Sequence, residues 1–229
     1  MTGRLAVALF AAALLLPSAG ARSESIGVRG ASGPYTLRVT SLKQARFKTV
    51  VRQHYDFSCG SAAVATLLTY QFGQPVTEEA VFAHMYERGN QAKIKREGFS
   101  MLDLRRYLRA HGYEADGFQL PLEKLLEQNV PAIVLIKERG YRHFVVVKGL
   151  RDGRVLIGDP SAGLRMIQRD RFGELWDNDV LFVVHNRREL ARFNDARDWR
   201  MAPSGPLGLG IQRSGLQNIV IPRRGPGDI

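Results

Sequence analysis

Cysteine is almost absent from this chain: Cys59 is the only one among 229 residues. A single cysteine excludes a disulfide within the chain. The five histidines are scattered, so the sequence also lacks the paired ligand spacing of a zinc site, and no metal or other cofactor is predicted. A lone thiol in an oxidising compartment is prone to oxidation, which suggests that it has a use, although a buried thiol can also be a small apolar side chain.

Long apolar runs are missing beyond the N-terminus, so no later segment is predicted to span a membrane. The N-terminus itself has Arg4, then an apolar run from Leu5 to Pro17 and an Ala-x-Ala sequence that ends at Ala21. These features are typical of a secretory signal peptide over residues 1–21, and the run is too short to cross a bilayer. An uncleaved anchor is the alternative. We expect cleavage near Ala21, a periplasmic or otherwise exported protein, and no integral membrane segment afterwards.

Acidic residues are scarce relative to basic ones: 22 Asp and Glu stand against 33 Lys and Arg, a formal net charge of +11. Such a balance is typical of proteins that bind nucleic acid. Here the basic runs lack interleaved aromatic residues, and export would remove nucleic acid from reach, so no nucleic acid partner is predicted. An acidic envelope surface or an acidic protein partner fits the charge, and so does an arginine-rich proteome without any binding role.

What the chain does have is a thiol at the predicted start of a helix. The residues from Cys59 to Phe72 are rich in Ala and Leu and nearly all apolar, which predicts a buried central helix that stops at Gly73. The positive end of such a helix favours the thiolate, which is the nucleophilic form. Gln53, six residues upstream, can offer its side-chain amide to a developing oxyanion, or it can be an ordinary surface residue.

A histidine and an aspartate follow on predicted strands. His143 precedes the apolar run Phe-Val-Val-Val, and Asp159 ends the run Val-Leu-Ile-Gly. Cysteine, histidine and aspartate are the parts of a papain-type cysteine hydrolase. Other roles are open: His143 can be a core histidine, Asp159 can serve only its Gly-rich turn, and His54 is a rival base.

Helix signals fill the first half of the chain. Thr77 predicts the N-cap of a helix that runs to about Glu87, and Ser100 with Asp103 predicts a capping box. Residues 90–97 are polar and basic, which predicts a loop.

Strand signals fill the second half, in apolar runs near 132–136, 144–148, 155–157 and 181–184. The predicted fold class is therefore α+β. Cys59 belongs to the N-terminal helical part, and His143 and Asp159 belong to a C-terminal antiparallel sheet, with a cleft between the two parts.

At these residues the chain resembles the C39 cysteine peptidases. The matching motifs follow one another within residues 45–185: Gln53, Cys59-Gly60, His143-Phe-Val-Val, Gly158-Asp159-Pro160 and Gly163. The resemblance implies a papain-like fold in which Cys59 is the nucleophile and His143 the general base and acid. It further implies that Asp159 orients the histidine and that Gln53 helps to form the oxyanion hole.

The resemblance also suggests how the chain is organised. We expect a signal peptide over 1–21, an N-terminal extension over 22–44, the peptidase domain over 45–185 and a basic C-terminal tail over 186–229. Leader peptidases of this family remove double-glycine leaders as part of a membrane exporter, whereas this sequence shows neither a membrane domain nor an ATPase. Its layout is similar to that of free-standing, exported C39-like proteases of functional-amyloid secretion systems.

The expected function is that of an exported cysteine endopeptidase that processes a partner protein in a secretion or assembly pathway. The expected substrate is a protein or peptide, with a secreted or fibre-forming protein as one candidate, and an envelope secretion component is a candidate partner. Two alternatives stay open. One is a cell-wall peptide hydrolase or acyltransferase, and the other is a peptidase-like binding or chaperone module without turnover.

Overall fold

The computed structural model describes residues 25–30, 33–38 and 41–202. The predicted signal peptide over 1–21 lies outside these residues. Within the predicted N-terminal extension, β1 (Ser25–Gly30) and β2 (Gly33–Arg38) pair as an antiparallel hairpin. This hairpin belongs to a first compact unit that ends at Ser41, and the rest of the fold forms a second unit.

The second unit begins with helices. They are α1 (Leu42–Arg46), α2 (Cys59–Thr66), α3 (Glu78–Arg88), α4 (Gln91–Glu97) and α5 (Met101–Ala110). None of the helices in the described ranges is both long enough and apolar enough to span a bilayer.

Strands dominate the second half of the unit, with three short helices among and after them. The elements are β3 (Ala115–Gln119), α6 (Lys124–Gln128), β4 (Ala132–Glu138), β5 (Tyr141–Arg151), β6 (Arg154–Asp159), β7 (Gly163–Gln168), α7 (Arg169–Leu175), β8 (Val180–Val184) and α8 (Ala196–Met201). The strands form one sheet in the order β3-β8-β4-β5-β6-β7, and every neighbouring pair is antiparallel. The predicted α+β class is confirmed, with the cysteine on the helical side and the histidine and aspartate on the antiparallel sheet.

Helix α2 is the centre of the helical layer. All eight of its residues are buried, and it packs against β5, α3 and α5. Its small side chains, Ala62, Ala63 and Ala65 among them, let the helix lie close to its neighbours. The helix continues as a π-helical turn over Leu67–Gln71, and Gly73 follows in the left-handed region with φ +69°. The predicted buried central helix is confirmed.

The local helix signals are largely confirmed. The Thr77 hydroxyl accepts the N–H of Ala80 at 3.2 Å, and the Ser100–Asp103 capping box has both of its reciprocal bonds.

The loop predicted over 90–97 is wrong, because these residues form helix α4. The side chain of Asn90 caps the helix by accepting the N–H of Lys93 at 3.0 Å, and Ile94 is buried in the core. The Asn90 cap and the burial of Ile94 stabilise this short helix, and neither could be recognised in a segment whose other residues are mostly polar and basic.

The structure also differs from the predicted tail beyond residue 185. Residues 188–201 pack on the sheet: Phe193 and Trp199 are buried, and the carboxylate of Asp198 lies 2.7 Å from the ammonium of the buried Lys148. The backbone N–H of Asn194 donates to the carbonyl of Lys148 at 2.9 Å. The described part of this segment is therefore part of the domain, and residues 203–229 lie outside the described ranges.

Candidate active site

The Cys59 thiol stands at the first position of α2, at the end of an ordered loop. The Ser58 hydroxyl is bonded to both the N–H and the carbonyl of Tyr55, at 3.1 and 3.0 Å. The next residue, Gly60, allows the helix to start against the core. A Cβ at this position would lie 2.9 Å from Cβ of Phe99 and 3.1 Å from a methyl group of Leu104. The Cys-Gly pair thus places a thiol at the helix start and leaves the space that the helix needs to pack against the core.

The environment of the thiol differs from the one that a helix N-terminus alone predicts. Cys59 is only 6% exposed, and burial raises the pKa of its thiol above the ordinary value. Backbone N–H groups of Phe144 and Gly60 lower the pKa and offset part of that effect. Burial therefore opposes ionisation of the Cys59 thiol, whereas the neighbouring backbone N–H groups favour it.

His143 and Asp159 meet because their strands are neighbours. Strands β5 and β6 pair with Val146 opposite Gly158, which brings the start of one strand beside the end of the other. Nε2 of His143 lies 3.2 Å from Oδ2 of Asp159, and both side chains are buried, at 5% and 1% exposure.

The other ring nitrogen is the one available for chemistry. Nδ1 of His143 is buried and has no hydrogen-bond partner among the described residues. With Nε2–H donated to Asp159, Nδ1 carries the lone pair that a general base needs. His143 and Cys59 line the same cleft, so this nitrogen is the candidate acceptor for the thiol proton.

The Asp159 carboxylate is held in its ionised form by a dense set of donors. Oδ1 accepts the N–H and hydroxyl of Ser161 at 2.8 and 2.7 Å and the N–H of Ala162 at 3.2 Å. Oδ2 accepts from Arg165 at 2.9 Å as well as from His143. Burial alone would raise the pKa of Asp159, but the bonds from His143, Ser161 and Arg165 outweigh it and hold the pKa well below its ordinary value.

Arg165 is a site residue that sequence reasoning missed. Its guanidinium bridges Asp159 and Glu138, and it contacts the latter at 3.0 and 3.2 Å. In the β6–β7 hairpin Arg165 pairs with Ile157, two residues before Asp159 on the same strand. Since residues two apart on a strand share a face, this register would have pointed to Arg165 once the hairpin was known.

Tyr141 is a second residue that the sequence did not single out. Its ring stacks on the His143 imidazole with centroids 5.6 Å apart and an interplanar angle of 24°. Its hydroxyl donates to the carbonyl of Asp56, in the loop that leads to the nucleophile. Tyr141 therefore ties the histidine strand to the cysteine loop.

Gln53 lies beside the aspartate turn, and its oxyanion role stays a prediction. The backbone N–H of Gln53 donates to the carbonyl of Pro160 at 3.1 Å, next to Asp159. Its side-chain amide donates to the carbonyls of Tyr55 and Asp56, at 3.0 and 3.5 Å. The amide N–H groups are thus engaged within the loop, and turning one of them toward an oxyanion would exchange such a bond for the new one.

His54 is already committed to other partners. Its Nδ1 lies 2.6 Å from Glu78 and its Nε2 lies 3.2 Å from Glu79, while Ser61 donates to Glu78 at 2.8 Å. The three ionisable side chains form a compact group. Each imidazole nitrogen faces a different carboxylate, so neither is free to take the Cys59 proton, and His54 is a poor rival to His143 as a base.

A cleft of about 850 Å³ gives access to these residues. It contains Cys59 and His143, and apolar side chains such as Phe57, Phe99, Met101 and Leu135 form part of its wall. This volume lies toward the upper end of the range for ligand sites in proteins. The cleft can therefore accept a segment of peptide next to the thiol.

Comparisons with known proteins match this arrangement. The family model described as Peptidase C39 family matches residues 47–188. The probable functional amyloid protease FapD of Pseudomonas aeruginosa is 38% identical over 147 residues, and the protein of the same name from Pseudomonas fluorescens is 40% identical over 147 residues. In both cases the match covers 64% of this chain and 65% of the relative's own length, a little under two thirds of it.

A solved structure is also similar to the chain. The peptidase domain of Streptococcus ComA, described as a bi-functional ABC transporter involved in quorum sensing, gives a TM-score of 0.49 at 20% sequence identity. The match covers 59% of this chain and 97% of that one. The family model spans well over half of the sequence and includes Cys59, His143 and Asp159, so the predicted family is confirmed. The chain belongs to the peptidase C39 family of cysteine peptidases.

Proposed function

We propose that this protein is an exported cysteine endopeptidase that processes a partner protein in a secretion or assembly pathway. The observation that carries the proposal is the buried His143–Asp159 pair, whose free Nδ1 shares a cleft with the Cys59 thiol. Asp159 holds the ring in the tautomer that can accept a proton, and the cleft is wide enough for a peptide.

The reaction begins when Nδ1 of His143 takes the thiol proton and the sulfur of Cys59 attacks the peptide carbonyl. The negative charge on the carbonyl oxygen is stabilised by the backbone N–H of Cys59 and, in our proposal, by the amide of Gln53. Loss of one such donor typically lowers kcat by about 100- to 1000-fold. Asp159 stabilises the imidazolium formed in this step.

The second half of the reaction restores the enzyme. The imidazolium of His143 donates its proton to the departing amine, the C–N bond breaks, and a thioester to Cys59 remains. Water then gives a proton to His143 and its oxygen attacks the thioester. The acid product leaves and the thiol regains its proton, so no cofactor is consumed.

The likeness to the relatives supports the choice of substrate. Two proteins called probable functional amyloid protease align with 64% of this chain. We infer that the partner cleaved here is a secreted, fibre-forming protein or another component of its assembly pathway. The resemblance of residues 1–21 to a signal peptide supports export of the enzyme to the same compartment.

The test uses the full chain, with and without residues 1–21. Purified protein is incubated with unstructured proteins and, separately, with peptidoglycan stem peptides, and products are identified by mass spectrometry. We expect cleavage of unstructured proteins that is abolished in Cys59→Ala and in His143→Ala. Cleavage of wall peptides alone would favour the cell-wall hydrolase, and binding without turnover would favour the binding module.

Export is tested separately in the native host. A C-terminally tagged chain should be found in the exported fraction with a mass that corresponds to removal of about 21 residues. A tagged protein of full mass in the cytoplasmic fraction would contradict the export part of the proposal.

A further inference from the structure

The cleft beside Cys59 has an uneven charge. Its lining includes four cations, Lys93, Lys95, Arg96 and Arg142, and two acids, Asp56 and Glu97. Three of the cations lie on α4, the helix that sequence reasoning predicted as a loop, and the fourth lies on β5 next to His143.

The cations differ in how far they are already neutralised. Arg142 is paired with Asp177 at 2.7 Å, and Arg96 is paired with Glu97 at 2.8 Å. Lys93 is 3.9 Å from the same Glu97 and its side chain is 58% exposed. Lys95 forms no ion pair with the residues that the structure describes, and its ammonium lies 6.0 Å from the centre of the Tyr86 ring. The two lysines therefore hold most of the charge that is free to meet a substrate.

Helix α4 holds these lysines at a fixed place relative to the nucleophile. The buried Ile94 anchors the helix, and Gly89 allows a close approach at which an added Cβ would lie 2.5 Å from the Ile94 side chain. At its other end Gly98 has φ +79°, and an added Cβ there would lie 3.4 Å from the carbonyl of Phe57. The basic helix is thus packed beside the loop that precedes Cys59.

We infer that Lys93 and Lys95 form a basic lip on the active-site cleft that selects peptide segments with acidic side chains close to the scissile bond. This inference rests on the proposed peptidase function and adds a substrate class to it. Both lysines are exposed, so a carboxylate can reach them without the cost of desolvating a buried charge. The net charge of +11 attracts the same kind of segment over a longer range.

The size of the effect follows from the exposure of the lysines. An exposed ion pair typically changes binding by about 1.5- to fivefold. The lip should therefore act on KM, because the charges lie beside the substrate chain and not at the reacting carbonyl, and kcat should stay within about twofold. The preference should also weaken as salt rises, since exposed charges are screened over about 10 Å at 0.1 M ionic strength.

The test uses three quenched fluorescent peptides that share a central Gly-Gly and carry Glu, Gln or Lys at two positions on each side of it. We expect KM to rise in the order Glu, Gln, Lys for the wild type, and the order to reverse in Lys93→Glu/Lys95→Glu. The neutral variant Lys93→Gln/Lys95→Gln should reduce the preference to the weak remainder that the overall positive charge of the protein produces. Lys124→Glu, a reversal of an exposed lysine outside this cleft, should leave the order unchanged.

The same peptides are measured by fluorescence anisotropy with Cys59→Ser as the background, so that binding is read without turnover. A charge order in binding but no cleavage by the wild type would support the basic lip and count against the proposed peptidase. Equal affinities for the three peptides, or an order that persists in the reversed variant, would overturn the basic lip and leave the peptidase untouched. Circular dichroism checks that each variant keeps its helices.

Discussion

Arg165 and His143 donate to the same oxygen of Asp159, at 2.9 and 3.2 Å. The guanidinium is also bonded to Glu138, so it is fixed on both sides and only a quarter exposed. A charged donor on the shared oxygen keeps Asp159 ionised and in place while, in the proposed reaction, His143 takes and returns a proton. Arg165 is therefore a positioning residue for the base.

We predict that Arg165→Gln lowers kcat by about tenfold, within the range expected for loss of a charge-assisted hydrogen bond, and leaves KM nearly unchanged. Arg165→Lys should restore part of kcat, because lysine supplies the charge but not the forked geometry. Steady-state kinetics on a peptide substrate measure both. Arg171→Gln, which removes an exposed pair with Glu174, is the matched control. An unchanged kcat in Arg165→Gln would show that Asp159 needs no second anchor.

The acid stability of the protein should depend on Asp159. Its pKa in the folded state lies well below the value of about 3.9 for an unfolded chain, so the unfolded state binds the proton first as pH falls. The stabilisation is therefore complete above about pH 5 and is lost progressively as pH drops through about 4. Asparagine cannot titrate, so Asp159→Asn lacks this pH dependence. The difference in free energy of unfolding between wild type and Asp159→Asn should therefore narrow as the pH falls toward about 3, which is about one unit below the pKa of an unfolded aspartate.

Urea unfolding at a series of pH values measures this gap. The control is Asp152→Asn, since Asp152 is largely exposed and lies 3.9 Å from Arg151. A gap that stays constant between pH 6 and pH 3 would mean that Asp159 stabilises the fold through something other than its charge.

The reactivity of Cys59 provides a test of its resting state. Burial raises the pKa of the thiol, and only the thiolate is alkylated, so we expect slow reaction with iodoacetamide at neutral pH. The rate should climb through and beyond the ordinary thiol pKa of about 8.5. Fast alkylation that persists to about pH 6 and is lost in His143→Ala would instead show a preformed thiolate–imidazolium pair. A mass-spectrometric time course at each pH reads the rate directly, because the chain has a single thiol.

Removing one partner of the Lys148–Asp198 pair should lower the stability of the protein much more than replacing both partners with apolar residues. The Lys148 side chain is fully buried, and its ammonium also donates to the carbonyl of Thr49 at 2.8 Å. Burial lowers the pKa of Lys148, and the carboxylate of Asp198 opposes that effect. We predict that Asp198→Ala destabilises the protein by about 3–5 kcal/mol, because it leaves the lysine charge unpaired inside the fold.

The double change Lys148→Met/Asp198→Leu should cost clearly less than Asp198→Ala, since it removes both charges together. Equilibrium unfolding in urea measures both variants. Glu127→Ala, which breaks the exposed pair with Lys124, should stay within about 1 kcal/mol of wild type. If the double variant is as unstable as the single one, the packing and not the charge of this pair holds the segment.

Gly60 should tolerate no side chain. An alanine there would place its Cβ 2.9 Å from Cβ of Phe99, an atom that is bonded directly to the backbone and cannot move aside. We expect Gly60→Ala to lose about 1–3 kcal/mol of stability by overpacking, and to lose activity because Cys59 moves with the helix. Gly173→Ala is the control, since its Cβ would meet only the end of the Arg169 side chain at 3.6 Å and alanine favours the helix. Thermal unfolding and peptide cleavage, measured together, separate the two effects.

The residues that sequence alone identifies are those whose signals are local. The Ser100–Asp103 capping box depends on a spacing of three, and the Cys59 helix depends on a continuous apolar run, so both could be predicted. His143 and Asp159 could be placed on strands for the same reason, and their residue types together with Cys59 predicted a joint role. In each case the physics is contained within one element.

Residues that were missed depend on contacts between elements. Arg165 reaches Asp159 because β6 and β7 pair in one register. Tyr141 contacts the cysteine loop because its hydroxyl reaches the carbonyl of Asp56, 85 positions away in the chain. Helix α4 has few apolar residues, and in the segment 188–201 the apolar residues are mixed with charged ones. Both are stable because Ile94, Phe193 and Trp199 are buried by other parts of the fold. Which apolar residue of such a segment is buried depends on the rest of the fold, so it cannot be predicted from the composition of the segment.

The ion pair between Lys148 on β5 and Asp198 on α8 shows which residues the folded domain has to include. The family model ends at residue 188, whereas the carboxylate that neutralises Lys148 comes from Asp198, ten residues further on. A polypeptide that ended at residue 188 would keep Cys59, His143 and Asp159 but would leave the buried ammonium of Lys148 without its carboxylate partner. The folded domain therefore extends beyond the residues that the family model matches, at least as far as Asp198.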